Sequence, residues 1–167
     1  GSLPGVDTWE AARTVAGELP HWPYLPELPA RGAGADMVGR AMSLLSGVSE
    51  EFAVETSAGR WRRAARPGRD LRRAASFFEA DCEAAHEHFA GYRGPLTVPL
   101  AGPWTLAASI ADEWGERSLR DGGYVDDLCQ AHAEAAAGLV RRFARLLPQA
   151  RVVVSVDEPV LAAVHRG

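Results

Sequence analysis

Two runs in this chain, Leu96–Leu100 and Arg151–Val156, are apolar at almost every position rather than at every second one, and each follows a long amphipathic helix. A strand with one wet face alternates apolar with polar residues. A strand that reads apolar throughout is covered on both faces, as in a parallel sheet flanked by helices. The helix ahead of the first run extends from Asp70 to Phe89, with Leu71, Ala74, Phe78, Cys82, Ala85 and Phe89 on one stripe. The helix ahead of the second extends from Tyr124 to Leu147, where Val125, Leu128, Cys129, His132, Ala136, Leu139, Val140, Phe143 and Leu147 form the stripe and Pro148 stops it. Apolar strands alternating with such helices imply right-handed crossovers and an α/β fold.

The remaining segments fit this pattern less regularly. Asp7 or Thr8 can cap a helix reaching Leu19, with Trp9, Ala12, Val15, Ala16 and Leu19 on its apolar face and Pro20 beyond it. Asp36 caps a second helix reaching Leu45. Phe52–Val54 reads as a short strand, 57–60 as a turn, and 61–66 as extended chain. In His21–Pro29, prolines at 23, 26 and 29 argue against helix or central strand. That segment reads as a loop, either simply packed or forming an active-site wall. The Gly-rich turn at 31–34 lacks a preceding strand and matches no nucleotide motif. Counting one strand at or before Gly1, three or four strands are visible, against the eight of a closed (β/α)8 barrel. The expected architecture is therefore a partial TIM (β/α)8-type barrel. Residues 1–167 would be the N-terminal portion of a single barrel domain, with the other strands outside these residues or supplied by another copy.

Composition removes several classes of function. All 18 basic residues are Arg and the net charge is -4, which argues against a nucleic-acid surface. No stretch approaches the roughly 18 apolar residues of a membrane span, and no charged segment followed by an apolar one opens the chain. The expectation is a cytoplasmic protein with no membrane partner. Cys82 and Cys129 make no disulfide framework. Cys82 and His86 fall one helical turn apart with His88 close in sequence, and Cys129 and His132 are similarly spaced, but a metal site needs three or four ligands. Both groups read as flanks of amphipathic helices.

In parallel α/β folds, chemistry gathers at the carboxyl ends of strands. Two segments have that position: 101–105 after the first apolar strand, and Asp157-Glu158-Pro159 after the second. Of the adjacent carboxylates, one can cap a helix or pair with an Arg, and the other can hold a substrate ammonium or act as a base.

Four short segments, in order, resemble the cobalamin-independent methionine synthase family. Val154-Ser155-Val156-Asp157-Glu158-Pro159-Val160-Leu161 is similar to its Asp-Glu-Pro-Ala-Leu segment, and Gly102-Pro103-Trp104-Thr105-Leu106 to its Gly-Pro-Val-Thr-Ile/Leu segment. Gly1-Ser2-Leu3-Pro4 resembles its Gly-Ser-Phe-Pro segment at the end of the first barrel strand, and Asp36-Met37-Val38 its Asp-Met-Val. The resemblance is strongest to the short, single-barrel relatives of actinobacterial type. It implies a methyltransferase moving a methyl group to a thiol such as homocysteine, assisted by zinc. Ser2 would meet the substrate carboxylate and Asp157 would pair with its ammonium, while Glu158 would support the turn; Trp104, which stands inside the motif as a departure from the family, would either shape a different pocket or simply pack. Zinc ligands would lie beyond Gly167, with none in this chain, and the methyl donor would be a folate or another carrier. The family's Glu after His-Gly, which also contacts the amino acid, has Arg31-Gly32-Ala33 in its place, and its folate-stacking Trp is replaced by Ala107-Ala108-Ser109. Two alternatives stand beside this one. One is a uroporphyrinogen-decarboxylase-like barrel enzyme, whose Arg-Gln-Ala-Gly-Arg signature is not found here. The other is a non-catalytic half-barrel that forms a homo-oligomeric scaffold.

Overall fold

The computed structural model describes residues 1–165. Local signals set the helices. Helix α1 (Thr8–Glu18) starts where the Asp7 carboxylate accepts the N–H groups of Trp9 and Glu10 at 2.9 and 3.1 Å. Helix α2 (Met37–Ser46) is capped by Asp36, which accepts the Gly39 N–H at 2.9 Å and the Trp61 indole N–H at 3.0 Å. Helix α3 (Arg69–His88) and helix α5 (Gly122–Leu146) are the long helices ahead of the apolar strands, and α4 (Pro103–Ser109) is the short helix between them. Asp121 caps α5 through the Tyr124 N–H at 3.1 Å. A single turn, α6 (Leu161–Val164), follows the last strand. No helix among the described residues is long and apolar enough to cross a membrane.

Strands β3 (Pro95–Ala101) and β4 (Arg151–Asp157) pair in parallel with Leu96 opposite Val152 and Ala101 opposite Asp157. Leu96, Val98 and Leu100 point from one face of β3 into the core, where they meet Phe78 and Cys82 of α3, Met42 and Leu45 of α2, and Leu128 and Phe143 of α5. The opposite face carries Thr97, Pro99, Ala101, Val153, Ser155 and Asp157.

Four expectations are corrected. First, the Pro-rich segment is not a free loop. The Leu25 N–H donates to the Thr97 carbonyl at 2.8 Å, and the Thr97 N–H donates to the Pro23 carbonyl at 3.0 Å, so 23–25 runs parallel beside β3. On its other side, the Leu3 N–H donates to the Glu27 carbonyl at 2.9 Å and the Glu27 N–H to the Gly1 carbonyl at 3.1 Å. The prolines lack only donors that this ladder does not need. Second, the 52–54 and 61–66 segments do not join the parallel sheet. They give a short helical turn (Glu50–Phe52) and an antiparallel hairpin, β1 (Val54–Ser57) with β2 (Arg60–Arg63). Its Trp61 is buried against α2. Third, β4 is not a buried strand. Its residues are half-buried or exposed, and Val156 is 51% exposed, because β3 covers one edge and no described strand covers the other. Fourth, two expected apolar faces are rotated. On α1, Thr8, Ala11, Ala12 and Val15 are buried while Trp9 and Leu19 are exposed; on α5, Val140 is exposed.

The architecture is thus mixed α/β. Its parallel segments lie in the order 1–3, 23–27, β3, β4, joined by single bridges at one side and a full ladder at the other. The sheets do not close into a barrel.

Candidate functional site

All four parallel segments point their carboxyl ends the same way, so Ser2, Glu27, Ala101 and Asp157 mark one end of the array. Asp157 is half-buried on the face opposite the core. Its Oδ1 accepts the Ser155 hydroxyl at 2.8 Å, from the next residue on that face. Among the described residues, no Arg or His forms an ion pair with it.

Glu158 is engaged differently. Its Oε1 accepts the Trp104 N–H at 3.0 Å, and its Oε2 accepts the Thr105 N–H at 2.7 Å and the Thr105 hydroxyl at 2.6 Å. These are first-turn donors of α4, which have no partner within that helix. The carboxylate lies so close to Gly102 that a Cβ there would collide with it. The question left open between capping and ligand binding is therefore divided between the two residues: Glu158 caps α4, and Asp157 has no ion-pair partner among the described residues.

The third residue expected in the site, Trp104, sits in the first turn of α4 and is 41% exposed. Ser2 is exposed, and its backbone is fixed by the bridge to Glu27. Below the strand ends, His132 of α5 lies 3.1 Å from the Ala101 carbonyl through Nε2. Burial lowers its pKa, against the opposing effects of that hydrogen bond and of the nearby Glu158 charge. The ring therefore acts as a neutral donor that pins the end of β3.

Sequence reasoning missed Glu27. It is 7% exposed at the end of the second parallel segment, with Arg40 Nε at 3.9 Å. The only available signal was a carboxylate following Tyr24-Leu25, in a segment set aside for its prolines.

The Cys/His groups do not converge. Cys82 is buried and its thiol is pushed up to about 12, chiefly by desolvation. Burial also raises the Cys129 thiol. His86 Nδ1 lies 3.1 Å from the Leu146 carbonyl, and His88 lies against Trp9. Among the described residues, no three His, Cys, Asp or Glu side chains are grouped to hold a metal ion. The ligands expected beyond Gly167 lie outside the described residues. A polar cleft of about 720 Å³ lies between the hairpin and the loop at Asp112–Trp114, and none of Ser2, Glu27, Trp104 or Asp157 lines it. No family model, curated protein or solved structure matches this chain.

Proposed function

We propose that the chain is the N-terminal portion of a (β/α)8-type barrel and serves a methionine-synthase-like methyltransferase, holding a homocysteine-like amino acid at the carboxyl ends of its strands. The observation that supports this reading is that Ser2, Glu27 and Asp157 lie at the same end of three parallel segments, with no ion-pair partner for Asp157 among the described residues. An α-amino acid needs a carboxylate for its ammonium and a hydroxyl or N–H donor for its carboxylate. Asp157 and Glu27 suit the first task and Ser2 the second, while Trp104 would form the wall. Glu27 supplies the second carboxylate for which residues 31–33 offered no candidate.

Zinc, where bound, would stabilise the thiolate of the acceptor. The described residues do not supply its donor set, so this chain's own part is to bind and orient the amino-acid end of the substrate. A folate-type or other methyl donor belongs to the same reading.

The test is calorimetric titration of homocysteine and methionine into wild type and Asp157→Ala. Loss of one charge-assisted contact should weaken binding roughly tenfold or more. Equal affinity in both proteins would remove Asp157 from the site and this function with it.

One observation favours the scaffold alternative. The outer edge of β4 has no strand beside it among the described residues, and Val156 of β4 is 51% exposed. Such an edge invites pairing with another copy.

A further inference from the structure

Below the strand ends lies a buried ion network. Asp81 of α3 has a side chain 0% exposed. Its Oδ1 accepts the Thr8 hydroxyl at 2.6 Å and Arg31 Nη1 at 2.9 Å, and its Oδ2 accepts Arg31 Nη2 at 3.0 Å and Arg40 Nη1 at 2.5 Å. The two guanidinium groups also lie over rings, Arg31 over Phe77 at 4.5 Å and Arg40 over Phe78 at 5.0 Å. With Glu27 the cluster holds two cations and two anions.

The distances are unequal in an informative way. Arg40 gives a direct hydrogen bond to Asp81 and stands 3.9 Å from Glu27, beyond hydrogen-bond range. The Glu27 carboxylate accepts no side-chain hydrogen bond among the described residues, although it is largely buried at the strand end. In a site of low dielectric a lone guanidinium would close onto the nearest carboxylate. Asp81 holds Arg40 through Nη1, and in that position the guanidinium leaves its Nε 3.9 Å from Glu27 rather than in contact with it.

We infer that Asp81 is a positioning residue for the amino-acid site: by engaging Arg40 it keeps the buried Glu27 carboxylate ionically balanced yet without a direct hydrogen bond, so that it can receive a ligand ammonium. This rests on the amino-acid reading of the strand-end site. Without the Asp81 charge, Arg40 turns to Glu27 and competes with the ligand. The effect is specific to the ligand's amino group, which a general structural role would not be.

The experiment compares binding of L-methionine with that of its des-amino analogue, methylsulfanylbutanoate, to wild type, Asp81→Asn and the charge-balanced double variant Asp81→Asn/Arg40→Met. Wild type should prefer the amino ligand. Asp81→Asn should cut that preference roughly tenfold with little change for the analogue, and the double variant should restore it. A wild-type preference that Asp81→Asn leaves intact overturns this inference alone. A wild type indifferent to the amino group overturns the amino-acid site as well.

Should Asp81→Asn not fold, carbon-13 and nitrogen-15 NMR of the wild type decides. Methionine, and not the analogue, should shift the Glu27 carboxylate signal while the Arg40 guanidinium signals stay in place. Arg40 Nε and Nη2 are buried without partners. A shift of their signals on adding the analogue would make Arg40 a direct carboxylate ligand and overturn the assignment.

Discussion

At the scale of single residues, the neighbours Asp157 and Glu158 have opposite uses, and three hydrogen bonds decide which is which. Glu158 satisfies the Trp104 and Thr105 N–H groups and the Thr105 hydroxyl. Glu158→Ala should cost about 2 kcal/mol, the scale of hydrogen bonds to a charged group. In thermal denaturation that is a fall of roughly 4–8 °C for a domain of this size. Glu158→Gln should cost less, because it keeps an acceptor. His132 makes a second prediction. Its folded pKa is lowered from 6.5 by burial. Above 6.5 both states are neutral and the His132 contribution is fully present. As pH falls from 6.5 toward the folded value, the unfolded chain takes up the proton first and stability is lost. Denaturant titrations between pH 7 and 5 should show a steeper loss in wild type than in His132→Gln, which retains a donor without titrating. Equal slopes would mean that the ring is not held neutral in the fold. The sequence alone placed both carboxylates at a strand end but could not separate them, because the partners of Glu158 lie 53 and 54 positions away.

At the scale of elements, the helices were legible and one strand was not. Asp7 and Asp36 each cap a helix within three residues of themselves, so their signals are local. The 21–29 segment reads as a loop because Pro23 and Pro26 cannot donate. Its place beside β3 needs only the Leu25 donor and the Pro23 carbonyl, and its place beside Leu3 needs only the backbone of Glu27. Leu25 and Leu28, each 1% exposed, are buried by that placement. Native-state hydrogen exchange should put the Leu25 and Thr97 amides in the slow class with the centre of β3. Rapid exchange at Leu25 would return the segment to a loop and detach Glu27 from the site. The hairpin failed in the opposite sense: its apolar Phe52–Val54 run suggested a sheet strand, but Trp61 carries it against α2 and the loop at Ala111.

At the scale of the whole molecule, the parallel array has its core-facing side filled and the outer edge of β4 open. If a second copy covers that edge, sedimentation velocity across a concentration series should reveal a dimer, and Val156→Glu should shift it to monomer. A species monomeric at every concentration would remove the scaffold reading. By itself, the sequence determined the α/β class, the two long helices, the two apolar strands and the carboxylate pair after the second. Each of these is written in residues a few positions apart, through helical periodicity, local turn chemistry and short runs of apolar residues. Only the tertiary structure decided that a proline-rich segment is the neighbour of β3, that β4 is an edge, and that Glu27, Arg40 and Asp81 form one charge network beneath the strand ends. Strand neighbours and buried ion pairs join residues tens of positions apart, and their energy depends on what the fold excludes from water, so the local sequence carries no mark of them.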